Sequence, residues 1–312
     1  MATVAAPFVI EPMTSADLGA AVACLESLTD RREDYIPWPR IKSVEDLRVR
    51  LARDHHESGS HWYIAREPRN GGLVGFAGFD PAAASEASEI YLDGPVVWRD
   101  TRRHGIGGAL LDAVTEAAHE RLGAVSIRAG VGEANESGAA FLESRGFVLM
   151  EVRRTLVCRD SHHRHIEPPE GVAIVTPADR DELMACHRLL AASVAPGAAP
   201  PLAELEAGAM DRRTILQMAT AGVEALAFGR ACSDPLEETA WIEELTATSF
   251  ARGAVESALL GSLVNASFAE PRVRQVHSEL VTPPGIDPRQ LSIYEGMGFR
   301  HERTDLGYVR PA

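Results

Sequence analysis

The spacing of apolar residues divides the chain into alternating short strands and helices. Phe8-Val9-Ile10 reads as a strand, and Met13 to about Leu28 as a helix whose start Thr14 or Ser15 would cap. The polar stretch Asp30 to Arg40, with Pro37, Trp38 and Pro39, reads as a loop, and Val44 to Asp54 as a second helix. Trp62 to Ala65 and Leu73 to Phe79 form a hairpin across Arg69-Asn70-Gly71-Gly72. Glu89 to Trp98 is the next strand. After the turn Arg99 to His104 and three glycines, Leu110, Leu111, Val114, Ala117, Ala118 and Leu122 recur at the three-and-four spacing of an amphipathic helix. Ala124 to Ala129 is a strand, Asn135 to Arg145 a helix, and Phe147 to Leu156 a closing strand.

The pattern then restarts. Ala173 to Asp179 echoes Val9 to Thr14, and a helix to Leu190 follows. Thr239 to Thr248 reads as a strand, Arg252 to Leu263 as a helix and Val273 to Val281 as a strand. Gly298-Phe299 repeats the ending Gly146-Phe147, and Thr304 to Arg310 closes the copy. A self-similarity of about half the chain predicts a duplication, with one copy in 1–160, a linker in 161–171 and a second copy in 172–312. The linker carries Pro168-Pro169 and His162, His163 and His165. No carboxylate or cysteine spacing turns those histidines into a metal site.

The turn at Arg102 to Ala109 carries the chemistry. A strand passing through glycines into a helix leaves main-chain N–H groups pointing out of the helix start, at the positive end of the helix dipole, where a phosphate binds. Glycine lets a diphosphate approach the backbone, and Arg102 and Arg103 add positive charge. The loop lacks the third glycine of G-x-G-x-x-G and the Lys-Ser/Thr pair of a P-loop. It fits R-x-x-G-x-G, as Arg102-Arg103-His104-Gly105-Ile106-Gly107.

That motif, with Asn135 and the run Phe141-Leu142-Glu143-Ser144-Arg145-Gly146-Phe147, resembles the GNAT N-acetyltransferase superfamily over about Phe8 to Arg159. The resemblance implies an α/β fold of two tandem GNAT-like domains, each a mixed, mostly antiparallel central sheet flanked by helices. It also implies acetyl-CoA as acyl donor, one per chain. Its site would be Val96, Val97, Trp98, Arg102, Arg103, His104, Gly105, Ile106, Gly107, Gly108, Ala109, Asn135, Ser137 and Phe141, with a backbone N–H near Val97 or Trp98 polarising the thioester. Asp93, then Glu89, are the candidate bases, and Tyr91 shares their strand face. The family's thiolate-protonating tyrosine is replaced by Leu142, leaving Tyr91, Ser137 or water for that proton. Glu33, Asp34 and Tyr35 would form one wall of an acceptor cleft; His55, His56 and His61 lie near the following turn.

With Leu110-Leu111 set opposite Leu259-Leu260, the second copy has Ala254 for Gly105, Glu256 for Gly107 and Ser257 for Gly108, yet keeps Tyr294 where the first has Leu142. A carboxylate at the loop would repel a diphosphate. Acetyl transfer to a small-molecule amine is therefore expected of the first copy alone. The alternatives are a non-catalytic acyl-CoA-binding or regulatory protein and an enzyme like the mycothiol synthases, tandem GNAT proteins whose intact loop lies in the second copy.

Composition narrows the partners. A net charge of −14 over 312 residues argues against a nucleic-acid surface. Neither a signal peptide nor a membrane-length apolar run is present, so a cytoplasmic monomer or homodimer is expected. The four cysteines are too far apart for a zinc or disulfide pattern.

Overall fold

The computed structural model describes residues 8–29, 61–79, 89–124, 126–159, 166–194, 199–234, 237–284 and 288–311. The predicted second helix, Glu33, Asp34, Tyr35, His55, His56 and the linker histidines lie outside the described residues. Two compact units divide the chain: residues 1–152 with 304–312, and residues 153–303.

In the first unit, β1 (Val9–Pro12) leads through a 3-10 turn into α1 (Leu18–Thr29), and β2 (Trp62–Arg66) and β3 (Leu73–Phe79) form the predicted hairpin. β4 (Glu89–Val97), α2 (Ile106–Leu122), β5 (Ser126–Gly132), α3 (Glu136–Ser144) and the start of β6 (Val148–Cys158) follow. At the start of α1, Asp17 accepts hydrogen bonds from the Thr14 hydroxyl (2.7 Å) and backbone N–H (2.9 Å) and pairs with Arg66. Burial raises the Asp17 pKa, but the bonds from Thr14 and Arg66 outweigh it and hold the carboxyl below its ordinary value.

The α2 stripe packs as its spacing predicts. Leu110, Leu111, Val114 and Ala118 are fully buried against Ile90 and Leu92 of β4 and Ile127 of β5. Truncating one of these leucines to alanine costs about 2–5 kcal/mol. The opposite sheet face holds α1, through Trp62, Ile64, Phe76 and Val96.

The second unit repeats the order with β7 (Ala173–Val175), α4 (Arg180–Ser193), α5 (Leu202–Met210), β8 (Thr214–Ala221), β9 (Glu224–Asp234), β10 (Thr239–Ala247), α6 (Ala254–Ala269), β11 (Gln275–Thr282), α7 (Pro288–Gly296) and the start of β12 (Arg300–Pro311). α4 is capped by Asp179, whose carboxylate accepts from the Glu182 N–H at 2.9 Å.

The compact units depart from the boundaries expected at 160 and 172. The strand beside β5 in the first unit is the end of β12, antiparallel from Asp305↔Gly132 to Pro311↔Ser126. The strand beside β11 is β6, which enters the second unit at Arg153. Each copy's closing strand thus completes the sheet of the other copy's body. Tyr308, from the chain's end, is buried in the first unit's core with Leu142 and Phe147. Its hydroxyl donates to Glu143 (3.3 Å), and Arg310 lies over the Phe147 ring (4.9 Å to its centre).

Candidate active site

β4 and β5 run parallel only over Glu89↔Ser126, Ile90↔Ile127 and Tyr91↔Arg128. Beyond Tyr91 they part. The cause is a bulge in β4: Gly78 faces Asp93 and Phe76 faces Val96, so Gly94 and Pro95 together oppose Ala77. Gly94 has φ +102°, and a Cβ on it would lie 2.9 Å from the Val96 nitrogen and 3.1 Å from the Phe76 carbonyl oxygen. Only glycine turns the strand here.

The parted strands open a cleft of about 420 Å³. Gly94, Pro95 and Val97 line one wall, Gly130 and Val131 the other; the first turn of α2 and helix α3 complete it. The bulge also decides which main-chain groups face inward. The Trp98 N–H donates to the Val74 carbonyl at 3.0 Å, so by alternation the N–H and C=O of Val97 point away from β3 into the cleft. The Val97 carbonyl accepts from Arg102 Nε at 3.1 Å, which ties the loop to the strand.

At the helix start, Arg103 has φ +66° and Gly105 φ +83°, and the first backward helical bond runs from the Ala109 N–H to the Gly105 carbonyl (3.0 Å). The N–H groups of Ile106, Gly107 and Gly108 precede it and have no carbonyl behind them in the helix. A Cβ on Gly105 would meet nothing within 4 Å; its glycine serves the left-handed turn. This cradle suits a diphosphate.

Of the residues expected in the cofactor site, Val97, Arg102, Arg103, Gly105, Ile106, Gly107, Gly108, Asn135, Ser137 and Phe141 line the cleft. Four stand outside it, each for a physical reason. Val96 is fully buried in the core beneath α1. Trp98 has its N–H engaged by Val74, and Ala109 by Gly105. His104 is exposed and turned to the Thr101 carbonyl, 3.2 Å from its Nδ1. Asn135 caps α3, its side-chain oxygen accepting from the Gly138 N–H (2.9 Å) and the Ser137 hydroxyl (3.2 Å).

The candidate catalytic residues lie on the face of β4 away from α2. Glu89 is held by Arg128 Nε (2.5 Å) and the Ser126 hydroxyl (3.1 Å). Tyr91 lies beside Arg128, Glu151 and Tyr308, apart from the cleft. Asp93 is buried at the edge of the bulge, next in sequence to cleft-lining Gly94. Leu142, buried, also lines the cleft. Sequence reasoning missed Arg145, which also lines the cleft; its one signal was the surplus glycine at 108.

The sequence model of the Acetyltransferase (GNAT) family matches residues 25–147. That segment is similar in sequence to the GNAT acetyltransferases. Its cradle, bulge and parted strands all fall within or beside the matched stretch. No curated protein matches the chain in sequence. Among solved structures, a GCN5-related N-acetyltransferase from Sphaerobacter thermophilus is 16% identical, with 99% of this chain and 97% of that chain covered and a TM-score of 0.75. A tandem GNAT protein from the clavulanic acid biosynthesis pathway is 17% identical, with 97% and 98% covered and a TM-score of 0.61. A glucosamine N-acetyltransferase region of a fungal multi-domain GH3 β-N-acetylglucosaminidase gives 15% identity and a TM-score of 0.68, with 98% of this chain and 38% of that chain covered. At these identities the likeness establishes the fold: two tandem GNAT-like domains spanning the chain. Among the described residues, no helix is long and apolar enough to cross a membrane.

Proposed function

We propose that the first unit transfers an acetyl group from acetyl-CoA to the primary amine of a small molecule, one donor binding per chain. The observation that carries this reading is the row of open N–H groups from Ile106 to Gly108, set at the mouth of the cleft between β4 and β5. The donor supplies an acyl group activated as a thioester: the amine nitrogen forms the amide bond as the C–S bond breaks, one proton leaving the amine and one reaching the sulfur.

The residues divide that work. The N–H groups of Ile106, Gly107 and Gly108, with Arg103, hold the diphosphate. The Val97 N–H donates to the thioester oxygen, where negative charge develops. Asp93, at the edge of the bulge, takes the amine's proton. Leu142 offers no proton, so the thiolate receives one from water or from the Ser137 hydroxyl, which lines the cleft.

Calorimetric titration with acetyl-CoA, combined with thiol release across a panel of primary amines, tests the proposal. One site per chain and amine-dependent release support it. Binding without release from any amine favours the second reading, an acyl-CoA-binding regulator, for which Leu142 in place of the tyrosine is the favouring observation. Two sites, or none, contradict both.

A further inference from the structure

The family-like motif needs glycine at 105 and 107; Gly108 is surplus to it. A Cβ built on Gly108 would lie 1.8 Å from Arg145 Nη2 and 2.7 Å from Arg145 Cζ. The guanidinium therefore fills the space that any other residue at 108 would claim. Its neighbour Phe141 fills the corresponding space over Gly107, with ring carbons 3.6 Å from where a Cβ would sit. Arg145 Cζ is 5.8 Å from the centre of that ring.

This is a costly place for a cation. The first turn of α2 is the positive end of its dipole and already carries Arg102 and Arg103 close by. The carboxylate facing Arg145 is Asp112, 3.5 Å away on an exposed side chain, a pairing that solvent weakens. The backbone at Arg145 is nevertheless fixed, since its carbonyl accepts from Arg310 Nη1 at 3.3 Å. Asp112, largely in solvent, offsets little of this charge, so the wall of the cradle presents a guanidinium suited to an anion.

Building on the proposed donor site, we infer that Arg145 is a phosphate ligand for the acyl donor, and that Gly108 is glycine because it seats this guanidinium. A nucleotide-bearing donor offers two sources of such a group, the diphosphate and the ribose 3′-phosphate. Both present the same chemistry to Arg145.

The test is calorimetric titration of the full chain and its Arg145→Gln, Arg145→Lys and Gly108→Ala variants with CoA and with dephospho-CoA. Thermal unfolding of each variant verifies folding. A lost charge-assisted contact predicts about tenfold weaker CoA binding in Arg145→Gln. Arg145→Lys, keeping the charge but losing the fork, falls between. Gly108→Ala displaces the guanidinium, so it reproduces the loss and adds little when combined with Arg145→Gln. A loss confined to CoA assigns the 3′-phosphate, and an equal loss with dephospho-CoA assigns the diphosphate; either upholds the inference. Unchanged affinity of folded Arg145→Gln for both ligands overturns it. Wild-type chain that binds neither ligand overturns the proposed function along with it, so the two failures are told apart by the wild type.

Discussion

The two copies diverge most where their central strand meets the following helix. Trp98 and Thr248 are equivalent, donating to the Val74 and Leu226 carbonyls (3.0 and 2.9 Å), and so are Thr101 and Ala251, which donate back to them. The helix cores also match: Ile106, Leu110, Leu111, Val114 and Ala118 are buried in one copy, and Val255, Leu259, Leu260, Leu263 and Ser267, at the same spacing, in the other. Four residues separate Thr101 from Ile106, but only three separate Ala251 from Val255.

That missing residue closes the second cradle. Glu256 donates its N–H to Ala251 (3.1 Å) and Ser257 to Gly253 (2.8 Å), where Gly107 and Gly108 leave theirs open. Glu256 is itself buried. The bulges differ in kind as well. The first copy's Gly94-Pro95 lines an open cleft. The second copy's β10 bulge at Glu243 is locked, with Arg230 Nε 3.2 Å from Glu243 and 2.7 Å from Glu244. On the function proposed above, loop length and the state of a few amides decide which copy of the fold takes the donor.

The comparison breaks most directly by moving the carboxylate. Gly107→Glu is expected to weaken acetyl-CoA binding by about a hundredfold, through charge repulsion at the helix start. The reciprocal Glu256→Gly creates no second site, because its amide stays bonded to Ala251; calorimetric stoichiometry in both variants checks the pair.

A smaller effect is expected from exchanging the residues four positions before Gly146 and Gly298. Phe147 and Phe299 each donate their N–H to these residues, Leu142 and Tyr294, at 3.1 Å, which establishes their equivalence. Leu142→Tyr places a phenol on the cleft and should raise the maximal acetylation rate roughly threefold, a modest gain because a thiolate leaves readily. Tyr294→Phe should leave that rate unchanged. It costs about 1–2 kcal/mol in chemical denaturation, since the Ser278 hydroxyl, 3.2 Å from Tyr294 Oη, loses its acceptor.

Smallest is a pH effect confined to the second copy. Burial pushes the Tyr294 phenol up to about 12, against the hydrogen bond from Ser278 and with the Glu256 charge adding to the rise. The folded state keeps the phenol neutral while an unfolded tyrosine ionises near about 10. Its contribution is therefore complete below pH 10 and is lost as pH rises toward 12. Wild type should lose stability faster than Tyr294→Phe over that interval, as read by denaturant midpoints.

Much of this was legible from spacing alone. The α2 stripe, the hairpin and the loop glycines each reflect a local rule, and local rules survive folding. At Asp93-Gly94-Pro95 the sequence reads as a turn or a bulge, and its spacing does not choose between them. The bulge shifts the strand's alternation, which puts Val96 in the core beneath α1 and Val97 on the cleft. The exchange of closing strands was invisible, since nothing in the alternation of β6 or β12 names the sheet it completes. Arg145 was missed because its meaning lies in contact with Gly108, 37 positions earlier.

Hydrogen–deuterium exchange with and without acetyl-CoA tests the central claim most directly, because it reads the amides themselves. Slowed exchange at Gly105 to Ala109, with no change at Arg252 to Ser257, is the predicted result. Protection at Arg252 to Ser257, or an unaltered rate at Gly105 to Ala109 under saturating donor, would contradict it.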